Sequence, residues 1–102
     1  MAAFVFFDVK EIRDPDLLAR YRSQVFATVE QFGGRYRVLG GLEAVLEGNW
    51  RPNVPVLIEF ETVDAARAWY DSAAYAPLLS QRIEAADCDA VILEGFDHTP
   101  GK

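Results

Sequence analysis

The sequence predicts an α+β fold: one four-stranded sheet with its helices packed on a single side. Three observations predict it. Strand-like and helix-like stretches alternate in the order β-α-β-β-α-(α)-β along 102 residues, a length that fits one domain. The helix-like stretches open on capping residues, and the first closes on glycine. The strand-like stretches carry apolar residues on both parities, so both faces of the sheet need cover.

Ala3 to Val9 is the first strand, with Phe4 and Phe6 pointing one way and Val5, Phe7 and Val9 the other. Asp14 is a good N-cap for the first helix, and Pro15 sits at N1, where a missing N–H costs nothing. Leu18, Tyr21, Val25, Val29 and Phe32 recur at helical spacing and form its buried stripe. Gly33-Gly34 stops the helix, because a residue just past a helix end often needs φ > 0. Arg35 to Leu39 is the second strand. Gly40-Gly41 interrupts it and Leu42 to Glu47 resumes an extended pattern, which points to a bulge or to close approach of a ligand or another backbone.

Gly48 to Pro55 is a loop holding two prolines in four residues. Val56 to Glu61 is the third strand, with Val56, Ile58 and Phe60 on one face and Leu57, Glu59 and Glu61 on the other. Thr62 caps a second helix that turns Ala66, Trp69, Tyr70 and Ala73 to the core. Asp71-Ser72 breaks it, and Ser72 can cap a short third helix with Pro77 in its first turn. That helix reaches about Ala86, with Leu78, Leu79 and Ile83 inward. Ala90 to Glu94 is the last strand. Residues 1–95 are expected to form the domain and residues 96–102 a polar, mobile tail.

Right-handed crossovers make strands one and two parallel, and likewise strands three and four. The connection between strands two and three is short enough for an antiparallel pair. This is the split-βαβ, ferredoxin-like arrangement with a four-stranded antiparallel sheet. Its bare face measures about 400 Å², and a monomer seldom exposes a much larger apolar patch. An identical chain is the commonest cover, so a homodimer is expected.

Net charge is −6, so the surface repels nucleic acid and anionic membrane, and neither is an expected partner. Ala2 to Phe7 is too short for a signal core and is ended by Asp8; no apolar run approaches the ~18 residues of a membrane span. The single cysteine, Cys88, fits a reducing cytoplasm, the expected location. With one cysteine and one histidine, His98 in the tail, a His/Cys zinc site within one chain is not expected, nor is a cofactor. Metal held by carboxylates stays open, because sixteen are available. No phosphate-binding glycine motif and no serine-histidine context is present.

The residues Tyr21-Arg22, Gly33-Gly34-Arg35-Tyr36, Gly40-Gly41, Leu46-Glu47-Gly48-Asn49-Trp50-Arg51-Pro52, Ile58-Glu59-Phe60 and Ala68-Trp69-Tyr70-Asp71-Ser72 with Tyr75 resemble the bacterial family called domain of unknown function 1330. The likeness runs from Asp14-Pro15 to Glu94-Gly95. It implies a dimeric α/β barrel, two sheets packed face to face, and no known reaction. One departure stands out: the family often has arginine directly before the second glycine pair, where this chain has Leu39. Arg37, two residues earlier, is expected on the same face as a substitute.

Several residues are candidates for a site. Arg35 and Arg37 share a strand face, as do Glu59 and Glu61. They either pair as charges protecting an edge strand or form a polar pocket in which Arg35 fixes a carboxylate or enolate. If chemistry occurs, Glu59 is the candidate base and Arg35 the anion stabiliser. Trp69, Tyr70 and Tyr75 are either core or an aromatic wall. Arg82, a lone cation in the third helix, either pairs with Asp71 or another carboxylate or joins the pocket. Trp50 is either a lid or a cover for the dimer edge. Two functions follow: binding of a small, partly apolar anion, extending to cofactor-free catalysis, or a non-catalytic dimeric module.

Overall fold

A computed structural model describes residues 1–97. The expected tail histidine, His98, lies outside the described residues, as does most of the expected tail. The elements are β1 (Ala3–Ile12), α1 (Pro15–Gln31), β2 (Arg35–Leu39), β3 (Pro55–Phe60), α2 (Val63–Tyr70), α3 (Ala76–Ala85) and β4 (Ala86–Glu94). The sheet order is β2-β3-β1-β4, with every neighbouring pair antiparallel. This is the ferredoxin-like arrangement the sequence predicts. β1 and β4 run longer than expected because they continue as a ladder past the core, from Val9–Cys88 to Ile12–Ala86.

The caps do what their residue types predict. Asp14 accepts from Leu17 N at 3.1 Å and Thr62 from Ala65 N at 3.0 Å. Ser72 donates its hydroxyl to Trp69 O at 2.8 Å and accepts from Tyr75 N at 3.1 Å, so one side chain ends α2 and starts α3. Gly33 takes φ +77°, and Gly34 N donates to Val29 O at 2.9 Å, closing α1. Gly34 has a second duty: a Cβ there would lie 2.6 Å from both Phe60 and Val29. Gly34→Ala is therefore expected to destabilise the fold by about 1–3 kcal/mol through overpacking. Gly41→Ala, which meets nothing within 4 Å, should stay within about 0.5 kcal/mol of the parent. Urea titrations of the two variants check the contrast.

The core lies between the helices and one face of the sheet. Val5, Phe7, Val9, Val56, Ile58 and Phe60 supply the sheet side, and Leu18, Val25, Val29 and Trp69 the helix side. The opposite parity carries Phe4, Phe6, Leu57, Val91 and Leu93, and among the described residues no helix covers it. Trp50 lies edge-on to Phe6, 6.1 Å between centroids, so it belongs to this open face. No helix among the described residues is long and apolar enough to cross a membrane.

Four expectations need correction. Leu42 to Glu47 does not resume the strand; Gly40 takes φ +86° and turns the chain out of the sheet, leaving Leu46 95% exposed. The bulge lies before the glycine pair, between Tyr36 and Val38, not at it. Ala73 is exposed, because α2 ends at Tyr70. Ile83 points outward and Arg82 inward: α3 turns the face Leu78, Arg82 and Ala85 to the core.

Candidate functional site

A cleft of about 30 Å³ opens between α1 and the sheet. Its apolar wall includes Leu18, Val25, Val56 and Ile58, and its polar groups are Tyr21, Arg22, Tyr36 and Arg82. Arg82 is 5% exposed. Its Nε donates to Tyr75 Oη at 3.2 Å, and Tyr75 Oη shares a 2.9 Å hydrogen bond with Tyr21 Oη. The guanidinium carbon lies 4.9 Å from the Phe7 ring centroid, a cation–π contact. Among the described residues no carboxylate lies within ion-pairing distance of Arg82. Pairing with Asp71 or another acid, one of the two expected roles, is thus replaced by a tyrosine chain.

The surroundings hold that chain in place. The Trp69 ring is 4.3 Å from Tyr75, and its indole N–H donates to Thr28 on α1 at 3.1 Å. Arg13 donates to the carbonyls of Ile83, Glu84 and Ala86, which fixes the end of α3 one turn beyond Arg82. Burial pushes the Tyr21 hydroxyl far above its ordinary value, and the adjoining Tyr75 adds to this. Burial likewise raises Tyr75, with Arg82 pulling part of the way back. Burial alone would lower Arg82, but the Tyr75 and Tyr21 oxygens outweigh it and the net direction is up. At neutral pH the site is a fixed cation followed by two neutral hydroxyls.

Such an arrangement can bind an anion and steady negative charge on oxygen. Arg82 donates into Tyr75, and the Tyr75 and Tyr21 hydroxyls share a hydrogen bond in which either oxygen can be the donor. Among the described residues, no carboxylate lines the cleft to act as a base.

The structure distributes the candidate residues over several places. Tyr75 and Arg82 come together here, and Trp69 backs them from the core. Tyr70 touches Tyr75 at 5.7 Å between centroids but lines a separate hollow of about 300 Å³ with Arg67 and Val91. Glu59 lies on the open face, opposite Phe4, paired with Arg37 at 2.8 Å. Arg35, at the start of β2, is the cross-strand partner of Glu59 and shares with it a hollow of about 130 Å³, as the sequence led one to expect; it also lines an outer groove with Glu30 and Glu61. Glu59 and Arg35 therefore do not meet the Arg82 chain. The bulge also decides the fate of Arg37: the extra residue flips parity, so Arg37 reaches Glu59 while Leu39 pairs with Val56 and lines the cleft. Arg37 does not stand in for an arginine at position 39. Tyr21 was legible only as a member of a buried stripe; its hydroxyl, which needs a partner when buried, was the available signal.

Comparison with known proteins adds the following. The family model described as a domain of unknown function (DUF1330) matches residues 2–96. A search of curated proteins returned no match. A protein of unknown function from Rhodopseudomonas palustris is 19% identical, with 95% of this chain and 84% of that one covered and a TM-score of 0.72. A dimeric protein of unknown function and ferredoxin-like fold from Bacteroides fragilis is 12% identical over 92% of this chain and 96% of its own, with a TM-score of 0.60. A cofactor-independent oxygenase from Streptomyces nogalater is 18% identical over 97% and 96%, with a TM-score of 0.52. These structural likenesses establish a shared fold, and the family match covers almost the entire chain: it belongs to the domain of unknown function 1330 family.

Proposed function

We propose that two copies of the chain assemble through their open sheet faces and that each holds a small, partly apolar anion in the cleft between α1 and the sheet, with Arg82 as its cation. The observation that carries this reading is a buried guanidinium that meets tyrosine oxygens, the Cys88 side chain and a phenyl face but, among the described residues, no carboxylate. Burying an uncompensated charge costs several kcal/mol, and a ligand anion would offset that cost. Arg35, the candidate from sequence, shares its groove with two glutamates, a poor setting for a second negative charge. The homodimer rests on the apolar open face and on the dimeric state of the Bacteroides fragilis protein. The proposed setting is the cytoplasm, and net charge −6 disfavours nucleic acid and anionic membrane as partners. Cofactor-free catalysis at this site is consistent with the Streptomyces nogalater oxygenase sharing the fold, and the Tyr21 and Tyr75 hydroxyls would steady negative charge on oxygen there.

A second reading, a dimeric module with no ligand, is favoured by one observation: the cleft has room for about one water. A thermal-shift and calorimetric screen of small aromatic acids separates the two. The parent should bind at least one acid. Arg82→Met should keep the fold, since an apolar side chain of similar length replaces a costly buried charge. It should also weaken binding roughly ten- to hundredfold, the worth of a charge-assisted hydrogen bond. Arg35→Ala should leave affinity within about twofold. A screen with no binder, or undiminished binding by a folded Arg82→Met, overturns the reading.

A further inference from the structure

The cleft and the outer groove beside it are lined by the same two aromatic residues, Phe26 on α1 and Tyr36 on β2. Their rings pack at 4.5 Å between centroids. On the inner side lie Arg82 and about 30 Å³ of space; on the outer side lie about 560 Å³ with Arg35, Glu30 and Glu61. Phe26 is 40% exposed, so its ring can swing into solvent without disturbing the core.

We infer that Phe26 and Tyr36 form a gate dividing one elongated site, and that the ligand is an aromatic monoanion whose head reaches Arg82 and whose flat body passes between the parted rings into the outer groove. This rests on the reading of the inner cleft as an anion site. Three features support it. A water-sized space cannot hold an aromatic acid unless a wall moves, and this wall is the one that faces a larger void. Phe26 and Tyr36 are held to each other by an aromatic contact, which a flat ligand replaces in kind when it slides between them. Two glutamates against one arginine in the outer groove disfavour a second anion at the far end, so the body should end in a neutral or cationic group.

The test is a length series, benzoate, 2-naphthoate and biphenyl-4-carboxylate, with biphenyl-4,4′-dicarboxylate as the doubly charged member. Association is followed by stopped-flow fluorescence, using Trp69 beside Tyr75 as reporter and Trp50→Phe to silence the other indole. Affinity should rise with length by roughly tenfold per buried ring and fall again for the dicarboxylate. Phe26→Ala should speed association roughly two- to tenfold, the rate equivalent of an aromatic pair's attraction. If benzoate binds in an Arg82-dependent way, but length brings no gain and Phe26→Ala leaves association unchanged, the gate is wrong while the anion site stands. If no member binds the parent, both fall.

Discussion

Ile58→Asp is expected to leave the chain unfolded at 25 °C, whereas Leu57→Asp, one position away, should leave it folded and monomeric. The contrast follows from strand parity. Ile58 is 1% exposed, sits between Val5 and Tyr36 in the ladder, and lines the space beneath α1. A carboxylate there loses about 2–5 kcal/mol of packing and must be desolvated without a partner, at a further cost of several kcal/mol. Domains of this size have only about 5–15 kcal/mol in total. Leu57 lies between Phe6 and Val38 on the open face. A charge there meets water in the monomer and apolar surface in the proposed dimer, so the penalty falls on assembly. Circular dichroism and light scattering read both variants. A folded Ile58→Asp would mean that the two sheet faces are exchanged, and a Leu57→Asp that stays dimeric would move the interface elsewhere.

That parity was legible because β1 and β3 are regular. Val5, Phe7, Ile58 and Phe60 alternate strictly with Phe4, Phe6, Leu57 and Glu59, and a strand's period of two leaves no freedom. The caps at Asp14, Thr62 and Ser72 were legible for a similar reason: each bonds a backbone N–H three residues on, a purely local event. The site was less legible because it depends on two non-local facts. The first is the phase of α3. Leu78, Leu79 and Ile83 and the observed face of Leu78, Arg82 and Ala85 are both sound helical stripes. Only the tyrosine oxygens supplied by the rest of the fold make the second, with its cation, the inward one. The second is the bulge in β2. No residue type there announces it, yet it sends Arg37 to Glu59 and Leu39 to the cleft. Spacing alone therefore put Arg37 on the same face as position 39, and fold context, not residue identity, moved the proposed anion site from Arg35 to Arg82.

Alkaline unfolding should begin near about pH 10 and steepen quickly, because the same tyrosines couple the fold to protons. Free tyrosine ionises at 10.0, and burial holds Tyr21 and Tyr75 above that in the folded chain. Tyr36, also raised by burial, belongs to the proposed gate and acts in the same direction. Below about pH 10 both states keep these protons and stability is fully present. Above it the unfolded chain releases them while the folded chain does not, so stability falls as pH rises until the folded groups ionise in turn. Each tyrosine withheld in this way costs about 1.4 kcal/mol per pH unit. Tyr21 and Tyr36, the two most strongly raised, amount over two pH units to about 5 kcal/mol, comparable with the whole stability of a small domain, and Tyr75 adds in the same direction. Urea titrations from pH 8 to 12 should show the slope. The greater part of the tyrosinate absorbance, from Tyr21, Tyr36 and Tyr75, should rise together with loss of secondary structure, not before it. Tyr21→Phe should make the decline shallower by about one proton while leaving Arg82 its bond to Tyr75. If Tyr21 instead ionises near pH 10 in a chain that is still folded, water reaches the hydroxyl chain freely, and the cleft is not the apolar setting in which the buried Arg82 guanidinium could command an anion.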